Sequence, residues 1–173
     1  ARDVERFIRS GAVTTRSAQD ELQKAIDRLR DHARAFFTEL AFAHRTNDRA
    51  RGEERVRATD ASLGHTREVA AYLAGSLDLA EAALALLKPA GSADESEPAS
   101  PFDSTALSRR AREIRDELRF LLRANDPAYV YFIEFRGKGV FLRASPIDVS
   151  EIIRDLLLDR MQGTVLTSAT LTV

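Results

Sequence analysis

Three stretches of the sequence place apolar residues at alternating steps of four and three, and that spacing leaves few folds open. The first seam is Leu22, Ile26, Leu29, Ala33, Phe36 and Leu40; the second is Ala70, Leu73, Leu77, Ala80, Leu84 and Leu87; the third is Leu107, Ala111, Ile114, Leu118 and Leu121. Apolar residues so spaced form one stripe along an α-helix, while the charged and small residues between them face water. The spacing predicts helices over about 17–44, 60–88 and 104–124. Ser17 with Asp20 reads as a capping box for the first, and Ser104 after Pro101 as a cap for the third. Seams of a few turns each are too short for a long coiled coil, so they are expected to close on one another as an elongated antiparallel bundle.

Two connections differ in charge. The segment Arg45 to Arg57 carries Arg45, Arg49, Arg51, Arg55 and Arg57 against Asp48, Glu53 and Glu54, and reads as a basic loop. The segment from 89 to 103 is rich in proline, small residues and acids, too polar to bury itself, and reads as a flexible loop.

After Asn125, Asp126 and Pro127 the pattern changes. Tyr129 to Phe135 and Val140 to Ala144 are aromatic and β-branched runs around Gly137, Lys138 and Gly139, a hairpin signal. Tyr129, Tyr131 and Phe135 alternate with Val130 and Phe132, so one set could stack bases, but packing the hairpin against the helices is the expected role of these rings. Pro146 ends the extended run, and Asp148 with Glu151 marks the start of an apolar helix through Val149, Ile152, Ile153, Leu156 and Leu157 to about Met161. A short β-prone strand then follows Gly163.

The bulk numbers limit function more than fold. An apolar fraction of 44% supplies a core, and 26 basic against 27 acidic residues give a net charge of -1, so any attraction to a polyanion must be local. The absence of cysteine excludes disulfides, thiolate zinc sites and a cysteine-ligated iron–sulfur cluster within these residues. No apolar run approaches the roughly 20 residues of a membrane span, and the chain is expected to be soluble and cytoplasmic, with no membrane partner. His32, His44 and His65 share no metal-ligand spacing, and no metal site is expected. The arginines at 109, 110, 112, 115, 119 and 123 on the third helix are offset by Glu113, Asp116 and Glu117 and read as an intrahelical salt-bridged face.

At the end of the last strand stand Thr167, Ser168, Ala169, Thr170 and Leu171. This resembles the Ser-Ala-Thr box, motif III, of superfamily 2 helicases. The run from Ala144 through Pro146, Ile147, Asp148 and Val149 to Ile153, the apolar helix, and the run Gly163 to Leu171 follow in the order found in the DinG/XPD branch. The motif likeness covers about 30 residues; the architectural one covers nearly the whole chain, because these helicases insert a helical arch ahead of motif III.

The resemblance implies an α+β fragment with two parts: residues 1–126 as a helical arch-like insert, and residues 127–173 as the C-terminal part of a first RecA-like motor domain. It implies a parent that is an ATP-dependent DNA helicase moving 5′ to 3′ on single-stranded DNA with Mg-ATP, its partners being that strand and the remaining motor domains. Thr167, Ser168, Ala169 and Thr170 would couple ATP hydrolysis to unwinding, and Arg45, Arg49, Arg51, Arg55 and Arg57 would touch DNA phosphates. The sequence has no phosphate loop, no Asp-Glu-Ala-His box and no arginine-finger motif, so these residues alone are expected to bind no cofactor and hydrolyse no ATP. The resemblance leaves the parent's iron–sulfur status open. The rival class is a non-enzymatic helical scaffold or self-associating interaction module.

Overall fold

The computed structural model describes residues 2–9, 16–45, 54–87, 104–161 and 163. Over these residues the fold is α+β: mostly helical, with one three-stranded antiparallel sheet among the described residues. Its elements in order are α1 (Arg2–Arg9), α2 (Arg16–His44), β1 (Glu54–Arg57), α3 (Asp60–Leu63), a 3₁₀ turn (Gly64–Thr66), α4 (Arg67–Ala85), α5 (Ser104–Arg123), β2 (Tyr129–Arg136), β3 (Gly139–Pro146) and α6 (Ser150–Ile153), which runs into a π-helical turn (Arg154–Leu158).

The three seams become α2, α4 and α5. Neither α2 nor α5 contains glycine or proline, so nothing interrupts their hydrogen-bond ladders. α4 lies between the other two and packs on both. Its sequence fits that position, since Ala70, Leu73, Leu77, Ala80 and Leu84 are all buried and alanine fills much of the remaining surface. α5 ends where Ala124 adopts φ 43°, a left-handed stop, and Pro127 prevents any resumption.

Two apolar clusters divide the body lengthwise. One gathers Phe36, Leu40, Leu63, Leu73, Leu77 and Leu118 under Tyr131, Ile133 and Phe135 of the sheet. The other joins Val4 and Phe7 of α1 to Leu22, Ile26, Ala80, Leu84 and Leu107. Leu29 packs against both. The core makes no break at residue 126, because Leu118 of α5 and Tyr131 of β2 belong to the same cluster.

Several sequence expectations are corrected. The stretch from Arg45 to Arg57 is not wholly a loop, since Glu54–Arg57 forms β1 and pairs with β2 from Glu54 opposite Phe135 to Arg57 opposite Phe132. The second helix is broken into α3, the 3₁₀ turn and α4, and its start is set by a capping box in which Thr59 Oγ1 accepts from Ser62 N at 3.1 Å and Ser62 Oγ accepts from Thr59 N at 2.9 Å. Because α2 begins at Arg16, Ser17 lies inside its first turn rather than at the cap. The Ser104 hydroxyl donates to the Leu87 carbonyl at 3.1 Å and so ties the start of α5 to the end of α4. α1 was not foreseen at all; its Glu5 pairs with Arg30 of α2.

The C-terminal helix is shorter than predicted. One α-turn gives way to the wider π turn, closed by Asp159 N to Arg154 O at 2.9 Å. Every large apolar residue from Ile147 to Met161 is exposed, from 41% at Leu158 to 66% at Ile147. Among the described residues no helix is long and apolar enough to cross a membrane.

Candidate functional site

Strand alternation separates the two faces of the sheet. Tyr131, Ile133 and Phe135 are buried against the helices with Tyr129 beside them, which is the packing role expected for that set. The opposite face carries Arg55 and Arg57 of β1, Val130, Phe132, Glu134 and Arg136 of β2, and Phe141, Arg143 and Ser145 of β3. The register places Arg55 opposite Glu134, Arg57 and Arg143 on either side of Phe132, and Glu134 opposite Phe141.

Glu134 is the centre of this outer face. Its side chain is only 1% exposed, and three arginines cover it. Arg55 Nε donates to Oε1 at 2.8 Å, Arg136 Nη2 donates to the same oxygen at 3.0 Å, and Arg143 Nε lies 2.9 Å from Oε2 as an ion-pair contact without hydrogen-bond alignment. Burial by itself would raise the pKa of this carboxyl. The hydrogen bonds and charges of Arg136 and Arg55 outweigh burial and hold it below its ordinary value, so Glu134 is an anion at neutral pH. Among the described residues this face carries four arginines, three of them on the covered carboxylate, and is locally basic.

Aromatic rings are interleaved with these charges. The Arg55 guanidinium lies 5.6 Å from the centre of the Phe132 ring, and that of Arg143 lies 5.3 Å from the centre of Phe141. Gly139 permits the second arrangement, since a Cβ there would stand 2.8 Å from a Phe141 ring carbon. At the hairpin tip Gly137 takes φ 56° in the two-residue turn, and Lys138 is exposed beside it. Arg45, just past α2, reaches this tip: its Nη2 donates to the Gly137 carbonyl at 3.2 Å, and its guanidinium sits 5.6 Å from the Phe135 ring centre.

The structure thus brings Arg55 and Arg57 onto one face and sets Arg45 at the hairpin tip, against Phe135 of the other face. Arg49 and Arg51 lie outside the described residues, as do Thr167, Ser168, Ala169 and Thr170 and the whole of segment 89–103. Glu134, Arg136, Arg143 and Phe141 carry no site signal in the sequence, and Phe132 only as a member of an alternating set, although the two-residue alternation of β2 and β3 already places them on common faces.

Arg109, Arg110, Arg112, Arg115 and Arg119 of α5 are all paired, but the closest partners are not on α5. Arg112 Nη2 reaches Glu81 Oε1 of α4 at 2.7 Å, and Arg115 Nη1 lies 2.5 Å from Asp78 Oδ1 and 2.7 Å from Glu81 Oε2. Hydrogen bonds to Asp78 and Asp116 raise the Arg115 pKa further above its already high value. Intrahelical pairs such as Arg109 with Glu113, at 3.7 Å, are longer. These charges fasten α5 to α4.

An apolar cleft of about 420 Å³ opens where Leu29, Phe37, Leu77, Ile114, Leu121 and Leu142 meet; Phe141 and Arg143 reach it from the edge strand, and Glu117 is the other charged residue of its lining. It offers no donor set for a nucleotide. His44 and His65 approach to 5.1 Å between ring centres, and His44 Nδ1 donates to the Leu40 carbonyl at 3.0 Å, but no group of three His, Cys, Asp or Glu among the described residues has the geometry of a metal site. Comparison with protein-family models, with curated proteins and with solved structures finds no match to the chain.

Proposed function

We propose that the chain is the helical arch and adjoining motor segment of an ATP-dependent DNA helicase of the DinG/XPD kind. The observation that carries this reading is the band of exposed apolar side chains from Ile147 to Met161, directly ahead of the Ser-Ala-Thr sequence. Eight large apolar residues exposed in succession are a packing surface in need of a partner. A RecA-like α/β domain, whose sheet is covered by helices on both faces, supplies such a partner. On this reading the antiparallel sheet belongs with the arch, and the motor portion begins after Pro146.

In the complete enzyme, Mg-ATP would be held by a phosphate loop and an acidic box, neither of which occurs in these residues. No step of hydrolysis is therefore assigned to this chain. Ser168 and Thr170 would link the nucleotide state to the DNA path, and the arch, with Arg45, Arg55 and Arg57 on or beside its sheet, would help to enclose single-stranded DNA.

The test is to translate the gene on both sides of these 173 codons and assay the full product. The expected result is an upstream phosphate loop and acidic box, a downstream arginine motif, and ATP hydrolysis stimulated by single-stranded DNA. Ser168→Ala with Thr170→Ala should then retain hydrolysis and lose unwinding. An open reading frame without a phosphate loop would overturn the helicase reading and favour a self-associating module built on the same apolar band.

A further inference from the structure

We propose that the outward face of the β1-β2-β3 sheet is a stacking platform for single-stranded DNA, with Phe132 and Phe141 receiving bases and Arg55, Arg57, Arg136 and Arg143 receiving phosphates. It deepens the helicase reading, on which the choice of DNA rests, by naming the surface that holds the strand.

Three properties of this face point to that ligand. The first is charge: the whole chain is nearly neutral at -1, yet among the described residues this face carries four arginines and one carboxylate, and that carboxylate is covered at 1% exposure. A polyanion meets guanidinium groups before it meets Glu134. The second is the way the arginines are held. Arg55 and Arg143 both reach Glu134 through Nε, so the terminal nitrogens of each fork are not spent on it. Glu134 is a positioning residue, which fixes two forks on outer strands about 10 Å apart with β2 between them.

The third property is the aromatic pair. Phe132 and Phe141 sit on adjacent strands at diagonal positions of the register, and Phe141 is 40% exposed. Every base has a π-face, so rings on a sheet hold a single strand without reading its sequence, and the guanidinium 5.3–5.6 Å from each ring centre places a cation beside it for the phosphate. Duplex DNA keeps its bases paired and cannot use the rings. A protein partner would be expected to find apolar surface here, whereas the exposed remainder of the face is chiefly arginine.

The experiment measures fluorescence anisotropy of labelled dT20, rU20 and a 20-base-pair duplex with the full chain over a salt series. Wild type should bind dT20 at low salt and the duplex more weakly. Phe132→Leu with Phe141→Leu keeps apolar cover on the sheet but removes the flat rings, and should weaken dT20 binding about tenfold or more at an unchanged thermal midpoint. Phe132→Tyr with Phe141→Tyr should restore binding. Arg143→Gln should flatten the slope of log K against log salt by about 0.7.

Leucine variants that bind within twofold of wild type, equal binding of duplex and dT20, or binding confined to rU20 would each overturn the proposal. Ring-dependent dT20 binding in a protein whose gene lacks motor motifs would instead leave the platform standing and remove the helicase reading.

Discussion

Arg55 on β1 and Glu134 on β2 are direct cross-strand partners, with Nε 2.8 Å from Oε1, and the carboxylate is covered while the guanidinium side chain remains 59% exposed. A strand with one apolar residue, Val56, is thereby attached to the sheet through an ion pair as well as its backbone ladder. Because the folded pKa of Glu134 lies below the unfolded value, its stabilisation is complete above the ordinary carboxylate pKa of about 4.3 and is lost as pH falls through the folded value. Glu134→Gln should lower the urea midpoint at neutral pH, and the gap from wild type should close below about pH 4. Urea titrations from neutral to acid pH check this, and a gap that widens in acid would contradict it.

Phe36 is fully buried in the cluster under the sheet, whereas Phe42, further along the same helix, is 86% exposed. Phe36→Ala should cost about 3–5 kcal/mol, through lost burial and the cavity left behind. Phe42→Ala should change stability by no more than about 0.5 kcal/mol. Equilibrium denaturation of the two variants measures the contrast directly.

The Tyr131 hydroxyl is buried with no hydrogen-bond partner among the described residues, although its ring packs against Phe120 at 5.6 Å between centres. A desolvated hydroxyl without a partner costs about 1–3 kcal/mol. Tyr131→Phe keeps the ring and should therefore raise stability by about 1 kcal/mol or more. A stability loss in urea titration would mean that the hydroxyl is satisfied in solution.

Leu156 and Leu157 are 54% and 44% exposed in the π turn. Replacing both with glutamate should reduce self-association in sedimentation velocity without lowering the thermal midpoint, because neither side chain contributes to either core cluster. A substantial drop in the midpoint would place these residues in the folded core.

Much of this architecture could be read from periodicity. The seams of α2 and α5 located those helices to within a residue or two, since burial of a stripe at helical spacing leaves an unmistakable pattern. The hairpin was equally legible from its β-branched and aromatic runs around Gly137 and Gly139. β1 was not, because Glu54, Arg55, Val56 and Arg57 carry three charges and one apolar side chain, and they become a strand only by pairing with β2. The candidate site depends on that long-range pairing. Arg55 and Arg57 were recognised as basic residues, but their neighbours Phe132 and Arg143 are set by a register between segments some 75 residues or more apart, which local sequence does not specify. α1 escaped notice for a related reason: two buried side chains, Val4 and Phe7, in eight residues make too short a stripe to stand out.

Leu29 has a mechanical consequence. Because it packs against the sheet-side cluster and the α1-side cluster alike, α2 is braced along its course, and a helix of 29 residues extends about 44 Å. α4 joins the same two clusters in the opposite direction and removes the obvious hinge between them. The body is therefore braced end to end: a tilt of the sheet would be carried along α2 and α4 to α1 rather than absorbed at a hinge between the two clusters.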